Sequence, residues 1–123
     1  MQWQEWSEFA EDETYWQNHL ERGLLKASHV KNYVLQLWFE EFFDVSIYEL
    51  DFYSLIVEAY PGEALLPLRD SKRFQMVKGD YSLMWLNPET YNYDEQTIDL
   101  APECVRFFCE KYGKKLKISS TVS

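Results

Sequence analysis

The sequence predicts an α+β fold: an antiparallel sheet of about four strands from two hairpins, covered by N- and C-terminal helices. Three observations predict it. Apolar residues recur at helical spacing near both ends of the chain, they alternate with period two in the middle, and the alternating segments are neighbours in sequence, as hairpins require. With 123 residues and 46% apolar side chains, the chain can bury a core of its own without disulfides or a structural metal. The expected organisation is an added N-terminal amphipathic helix over residues 1–28, a single α+β domain over 29–118 and a flexible tail over 119–123.

Trp3, Trp6, Phe9 or Ala10, Trp16 and Leu20 recur at three- and four-residue steps apart from a polar break at Glu13, with Glu5, Glu8, Glu11 and Asp12 falling largely between them. That spacing predicts an amphipathic helix, with Gly23 as its stop. Tyr33, Leu35, Leu37 and Phe39 then alternate with Val34, Gln36 and Trp38, which predicts a strand. Glu40-Glu41-Phe42-Phe43-Asp44 interrupts it, and the alternation of residues 45–50 predicts the second strand of a hairpin. Asp51 is a candidate cap for a short helical or looped stretch that Pro61-Gly62 ends.

Asp70 is placed to cap one helical turn from which Phe74 reaches back to the core. Residues 75–78 and 81–86 read as a second hairpin around a tight Gly79-Asp80 turn, with Tyr81, Leu83 and Trp85 on one face. The polar stretch 87–96, with Pro88, reads as an exposed loop. Pro102 and Glu103 open the last helix, because proline loses no needed hydrogen bond there and a carboxylate suits the helix dipole. Val105, Phe108, Cys109 and Tyr112 mark its apolar stripe, and Gly113 stops it.

Charge narrows the function classes. Twenty-one acidic residues against twelve basic ones give a net charge of −9, which repels phosphate backbones and disfavours direct nucleic-acid binding. Residues 1–21 hold six acids and no Lys or Arg, and residues 32–68 hold seven acids and again none. Lys and Arg gather at Arg69, Lys72, Arg73 and Lys78 and at Lys111, Lys114, Lys115 and Lys117. This layout predicts separate acidic and basic surface regions. No apolar run reaches the ~20 residues of a membrane span, and the N-terminus lacks the features of a signal peptide. The expectation is a cytoplasmic chain without membrane contact.

Catalytic and metal-ligating patterns do not emerge. Cys104 and Cys109, five apart on a helix, point about 140° away from each other and read as buried thiols. His19 and His29 match no zinc spacing. Asp80, Asp94, Glu95 and Asp99 lie near loops, but nothing pairs two of them for acid and base work. The expectation is no enzyme, no cofactor and no metal.

The order of the short motifs Ser46-Ile47-Tyr48-Glu49-Leu50-Asp51-Phe52-Tyr53-Ser54-Leu55-Ile56, Leu66-Pro67-Leu68-Arg69-Asp70 with Phe74, Leu83-Met84-Trp85, and Asp99-Leu100-Ala101-Pro102-Glu103 resembles the small prokaryotic domain-of-unknown-function family 2442. The resemblance covers residues 30–103. It departs at the expanded turn 40–44, at Asn87-Pro88 where the family has Asn-Gly, and over the first twenty-eight residues, which have no counterpart. It implies a small cytoplasmic α+β domain with regulatory or antitoxin-like pairing and no enzyme activity.

Together these readings predict a non-catalytic acidic interaction module that holds a protein partner with a basic surface. The candidate contact residues are Glu40, Glu41, Asp44, Glu49 and Glu58, with Trp3 and Trp6 if the first helix is partly exposed. Carboxylates supply orientation and fast encounter, and aromatic anchors supply most of the binding free energy. The alternatives are a phosphate-mimicking inhibitor of a nucleic-acid enzyme, such as an immunity or anti-defence protein, and a scaffold subunit of a larger assembly. A homodimer is compatible with each.

Overall fold

The computed structural model describes residues 1–11, 23–41, 43–86 and 98–116. Helix α1 (Trp3–Phe9) precedes strands β1 (Leu24–Lys31), β2 (Val34–Glu40) and β3 (Val45–Asp51). A π-helical turn (Ser54–Glu58), a 3-10 turn (Leu66–Arg69) and the one-turn helix α2 (Ser71–Phe74) follow. Strands β4 (Val77–Asp80), β5 (Ser82–Trp85) and β6 (Ile98–Leu100), helix α3 (Pro102–Tyr112) and strand β7 (Lys114–Leu116) complete the fold. It is α+β: β1-β2-β3-β7 form one antiparallel sheet and β4-β5-β6 another.

Both predicted hairpins are present. In β2–β3, Leu35 faces Leu50, Leu37 faces Tyr48 and Phe39 faces Ser46, and all six are buried. Period-two alternation therefore sets the register, because a slip of one residue would turn this whole set to solvent. In the second hairpin, Leu83 and Trp85 are fully buried, and Trp85 Nε1 donates to the Phe74 carbonyl at 2.9 Å. Phe74 stacks on Trp85 at 5.6 Å and also meets Tyr33 at 4.9 Å and Phe52 at 5.9 Å. The α2 turn thus pins the core between the two hairpins, as its Asp70 cap and Phe74 predict: Asp70 Oδ1 accepts the Lys72 N–H at 3.0 Å.

Several details differ from the sequence expectation. Seven strands in two sheets are described rather than about four strands in one. Strand β1 begins at Leu24, inside the segment assigned to an added helix. Register shifts between Leu24 and Lys26 and between His29 and Lys31 break its alternation, so only Leu24 is fully buried and no period-two pattern shows. Strands β6 and β7 have three residues each, too few for a periodic signal. The second hairpin reverses at Tyr81, whose φ is 63°, while Gly79 and Asp80 belong to β4. Gly79 serves a different purpose: a Cβ there would lie 2.6 Å from Ala27 N and Lys26 C, so glycine permits β4 to press against β1. Tyr81 N and O both pair with Leu24, which ties the two sheets together.

Helix α3 starts at Pro102 and ends at Gly113 as predicted, but residues 102–109 are all buried, rather than one stripe. Over these eight residues the helix lies inside the core, while Glu110, Lys111 and Tyr112 are exposed, so Tyr112 does not belong to the buried face predicted for it. No described helix is long and apolar enough to cross a membrane. The continuation of the first helix toward Leu20, the loop 87–96 and the tail 119–123 fall outside the described residues.

Candidate functional site

The two turns of β1-β2-β3 lie at opposite ends of the sheet, separated by the length of β2, about 20 Å at the usual rise per residue. The β2–β3 turn carries Glu40, Glu41, Phe43 and Asp44. The Glu41 N–H donates to the Asp44 carbonyl at 2.9 Å, and Asp44 Oδ1 accepts the Val45 N–H at 2.8 Å. These bonds close a turn longer than two residues and leave Phe43 wholly in solvent, at 102% relative exposure. Burying such a ring stabilises by roughly 1.5–3 kcal/mol, so an aromatic held entirely in water by a bonded turn is an apolar group with no use inside the fold.

Glu40 and Glu41 are neighbours with different fates. The Glu40 side chain is exposed and forms no ion pair among the described residues. The Glu41 carboxylate is 18% exposed and accepts from Arg106 Nη2 of α3. Arg106 is 4% exposed, lies with its guanidinium carbon 5.3 Å from the centre of the Phe39 ring and has its Nε 3.5 Å from Glu110 Oε2. Two carboxylates therefore lie against a buried cation, while Arg106 Nε and Nη1 are buried without a hydrogen-bond partner. Arg106 anchors the base of the turn to the core.

The other predicted contact residues lie elsewhere. Glu49 sits mid-strand on the outer face of the sheet, opposite Gln36 and in register with Lys114 of β7. Glu58 is exposed on the π-helical turn that follows the far end of β3. Trp3 and Trp6 are half-buried and packed: Trp3 meets Phe108 edge-on at 5.8 Å and donates Nε1 to the Leu55 carbonyl at 2.8 Å, and Trp6 lies 5.7 Å from Phe107. Their spacing is that of a helix docking on its own domain, and the exposed aromatic beside Glu40 and Asp44 is Phe43. The structure gathers Glu40, Glu41 and Asp44 and separates Glu49, Glu58, Trp3 and Trp6 from them.

Helix α1 is held at its edge by a small polar clasp. Glu5 Oε1 accepts from Lys111 Nζ at 2.6 Å and from the Tyr112 hydroxyl. The Lys111 and Tyr112 donors hold the Glu5 carboxyl down at about 2, and the same contacts push the Lys111 ammonium and Tyr112 hydroxyl up. Both thiols are buried, and burial pushes Cys104 up to about 12 and Cys109 higher still. Neutral buried thiols are neither nucleophiles nor metal ligands. Among the described residues no group of His, Cys, Asp and Glu is placed to hold a metal ion.

At the opposite end, the β1–β2 turn packs against the 3-10 turn and α2. Tyr33 donates its hydroxyl to the Arg69 carbonyl, and Arg69 donates Nε to the Ile56 carbonyl at 2.8 Å and Nη2 to the Ala59 carbonyl at 3.2 Å. Beside them a cleft of about 460 Å³ is lined by Pro67, Asp70, Lys72, Arg73 and Met76. Sequence reasoning missed Phe43 and Arg106. Phe43 had a legible signal, an aromatic inside a break between two alternating runs, where neither sheet face can take it. Arg106 had a weaker one, a lone cation in the run Cys104-Val105-Arg106-Phe107-Phe108-Cys109. No family model, no curated protein and no solved structure matches this chain.

Proposed function

We propose that the protein is a non-catalytic interaction module whose β2–β3 turn docks onto a basic protein surface, with Phe43 as the anchor and Glu40 and Asp44 as the charges that orient it. The observation that carries this reading is the fully exposed Phe43 between exposed carboxylates on a turn wired to the core through Glu41 and Arg106. A rigid aromatic loses little conformational freedom on binding, and hot spots are apolar anchors ringed by polar groups that exclude water. The carboxylates add approach rate and partner choice more than affinity. A regulatory, antitoxin- or inhibitor-like pairing in the cytoplasm is part of this proposal and rests on the motif order of residues 46–103 alone, since no family model matches the chain. Phosphate mimicry needs a longer array of charges, and with Glu49 and Glu58 placed away from the turn it has less support.

The test is a titration of isotope-labelled protein with an arginine-rich peptide carrying an apolar residue at its centre, followed by backbone NMR at low and high salt. Shifts confined to residues 40, 41, 43 and 44, weakened by Glu40→Lys and abolished by Phe43→Ala, are the expected result. Shifts spread evenly over the acidic surface would reduce the carboxylates to solubilising charge. Glu41→Lys is the wrong probe, because it sets a second cation beside Arg106.

A further inference from the structure

The exposed apolar surface at the β2–β3 end of the sheet does not stop at Phe43. The Glu40 N–H donates to the Gly23 carbonyl at 3.0 Å, and Leu24 exchanges both backbone hydrogen bonds with Tyr81, so β2, β1 and the β4–β5 reversal lie side by side there. At the usual spacing of paired strands, Tyr81 is about 10 Å from Glu40. Leu25 occupies the irregularity between Leu24 and Lys26 and is 48% exposed. Tyr81 is 45% exposed although its ring lies against Gly23. Its φ of 63° suits glycine or asparagine and is costly for a ring-bearing residue, so the reversal alone does not call for tyrosine. Glu40 and Asp44 flank Phe43, Asp80 precedes Tyr81, and all three carboxylates are exposed. The cations of these strands sit further in: Lys26 lies over the Trp38 ring at 4.8 Å, and Lys78 is opposite Met84.

We infer that Phe43, Leu25 and Tyr81 form one docking surface whose occupant is a basic amphipathic helix of a partner protein. This rests on the proposed reading of the turn as a docking surface and names the form of its partner. Two turns of an α-helix rise about 11 Å, which matches the span from the β2–β3 turn to Tyr81. Apolar residues at i, i+3 or i+4, and i+7 on one helix face can therefore meet the three side chains in turn. An added strand would need an open sheet edge, and at this end the edge of β1 is taken by Tyr81. Lys and Arg on the flanks of the helix would face Glu40, Asp44 and Asp80, which set its orientation and speed its approach.

The probe is a helical peptide whose leucines recur at three- and four-residue steps on one face and whose other positions are Arg and Ala. Titrated into the full chain, it should shift the backbone resonances of residues 25, 80 and 81 together with those of 40, 43 and 44. A peptide of the same residues, reordered so that the leucines spread around the helix, should bind about tenfold more weakly by calorimetry. Tyr81→Asn removes the ring and keeps a residue that tolerates this backbone, so the unfolding midpoint should hold or rise while affinity for the first peptide falls about fivefold or more. Asp80→Lys should weaken it about threefold. Equal affinity for the two peptides, unmoved resonances at 25 and 81, or Tyr81→Asn protein that binds like wild type overturns the inference. So does a Tyr81→Asn midpoint well below wild type, which would assign the ring to the fold. If the arginine-rich peptide with one apolar residue still shifts 40, 43 and 44 in that case, the helix-docking surface fails and the turn stands. If neither peptide binds, both fail.

Discussion

At the β1–β2 end of the sheet, Tyr33 and Phe74 lie within the aromatic cluster around Trp85, Arg69 spends its donors on two carbonyls, and Asp70 caps α2. At the β2–β3 end, Glu41 is tied to the core through buried Arg106, which also pairs with Glu110; Phe43 points into water and Glu40 makes no ion pair among the described residues. Aromatic, acidic and basic groups occur at both ends. Their use separates the two: at one end they build the fold, and at the other they remain after the fold is built. An exposed ring beside exposed carboxylates is what the proposed docking turn needs and a merely solubilising turn does not.

Truncating the aromatic of each end tests the contrast most strongly. Phe74→Ala removes a fully buried ring that meets Tyr33, Phe52 and Trp85, and should cost about 3–5 kcal/mol in denaturant unfolding. A loss below about 1 kcal/mol would mean that α2 does not pin the core.

Glu41→Gln comes next. It leaves the 4%-exposed Arg106 with Glu110 alone, at 3.5 Å, and should cost about 3 kcal/mol, the low end for breaking a buried pair. Glu40→Gln, one residue earlier, should change stability by no more than about 0.5 kcal/mol. Equal effects at the two positions would erase the distinction between the anchored carboxylate and the exposed one.

The clasp on α1 gives a pH test away from both ends. Glu5 is held at about 2, below its ordinary 4.5, so its contribution is complete above about 4.5 and disappears as pH falls through about 2. Lys111 and Tyr112 are raised, so their contribution is complete below their ordinary values of 10.5 and 10.0 and disappears as pH climbs through the raised ones. The Trp3 indole N–H resonance, bonded to the Leu55 carbonyl, should therefore hold its folded position between about pH 4.5 and 10 and lose it beyond both limits before the core unfolds. The β2–β3 turn makes no use of that clasp, so its resonances should not follow the acid transition of α1.

These contrasts also show what the sequence could reveal. The β2–β3 and β4–β5 hairpins, the Asp51 and Asp70 caps and the Pro102-to-Gly113 helix were legible because each rests on local spacing or on one residue's backbone chemistry. Strand β1 was not, because two register shifts scramble its alternation, and β7 was not, because Lys114 and Lys115 lie on a short strand whose pairing with β3 is set by tertiary contact. The candidate site was half legible. Charge runs pointed to Glu40, Glu41 and Asp44, but chain order cannot tell that Glu41 meets Arg106 sixty-five residues away, or that Glu49 ends up in register with Lys114.

Phe43→Ala is the smallest perturbation of the fold and the sharpest test of the comparison. Nothing in the described structure packs enough on this ring to reduce its exposure, so unfolding free energy should stay within about 0.5 kcal/mol of wild type. The hydrogen bonds of the turn run through Glu41, Asp44 and Val45 and do not involve the ring, so backbone resonances of residues 40–45 should move only locally. A stability loss of several kcal/mol would place Phe43 inside the fold and make the two ends of the sheet alike. An unchanged stability, with binding lost, is the signature of a side chain kept for contact with another molecule.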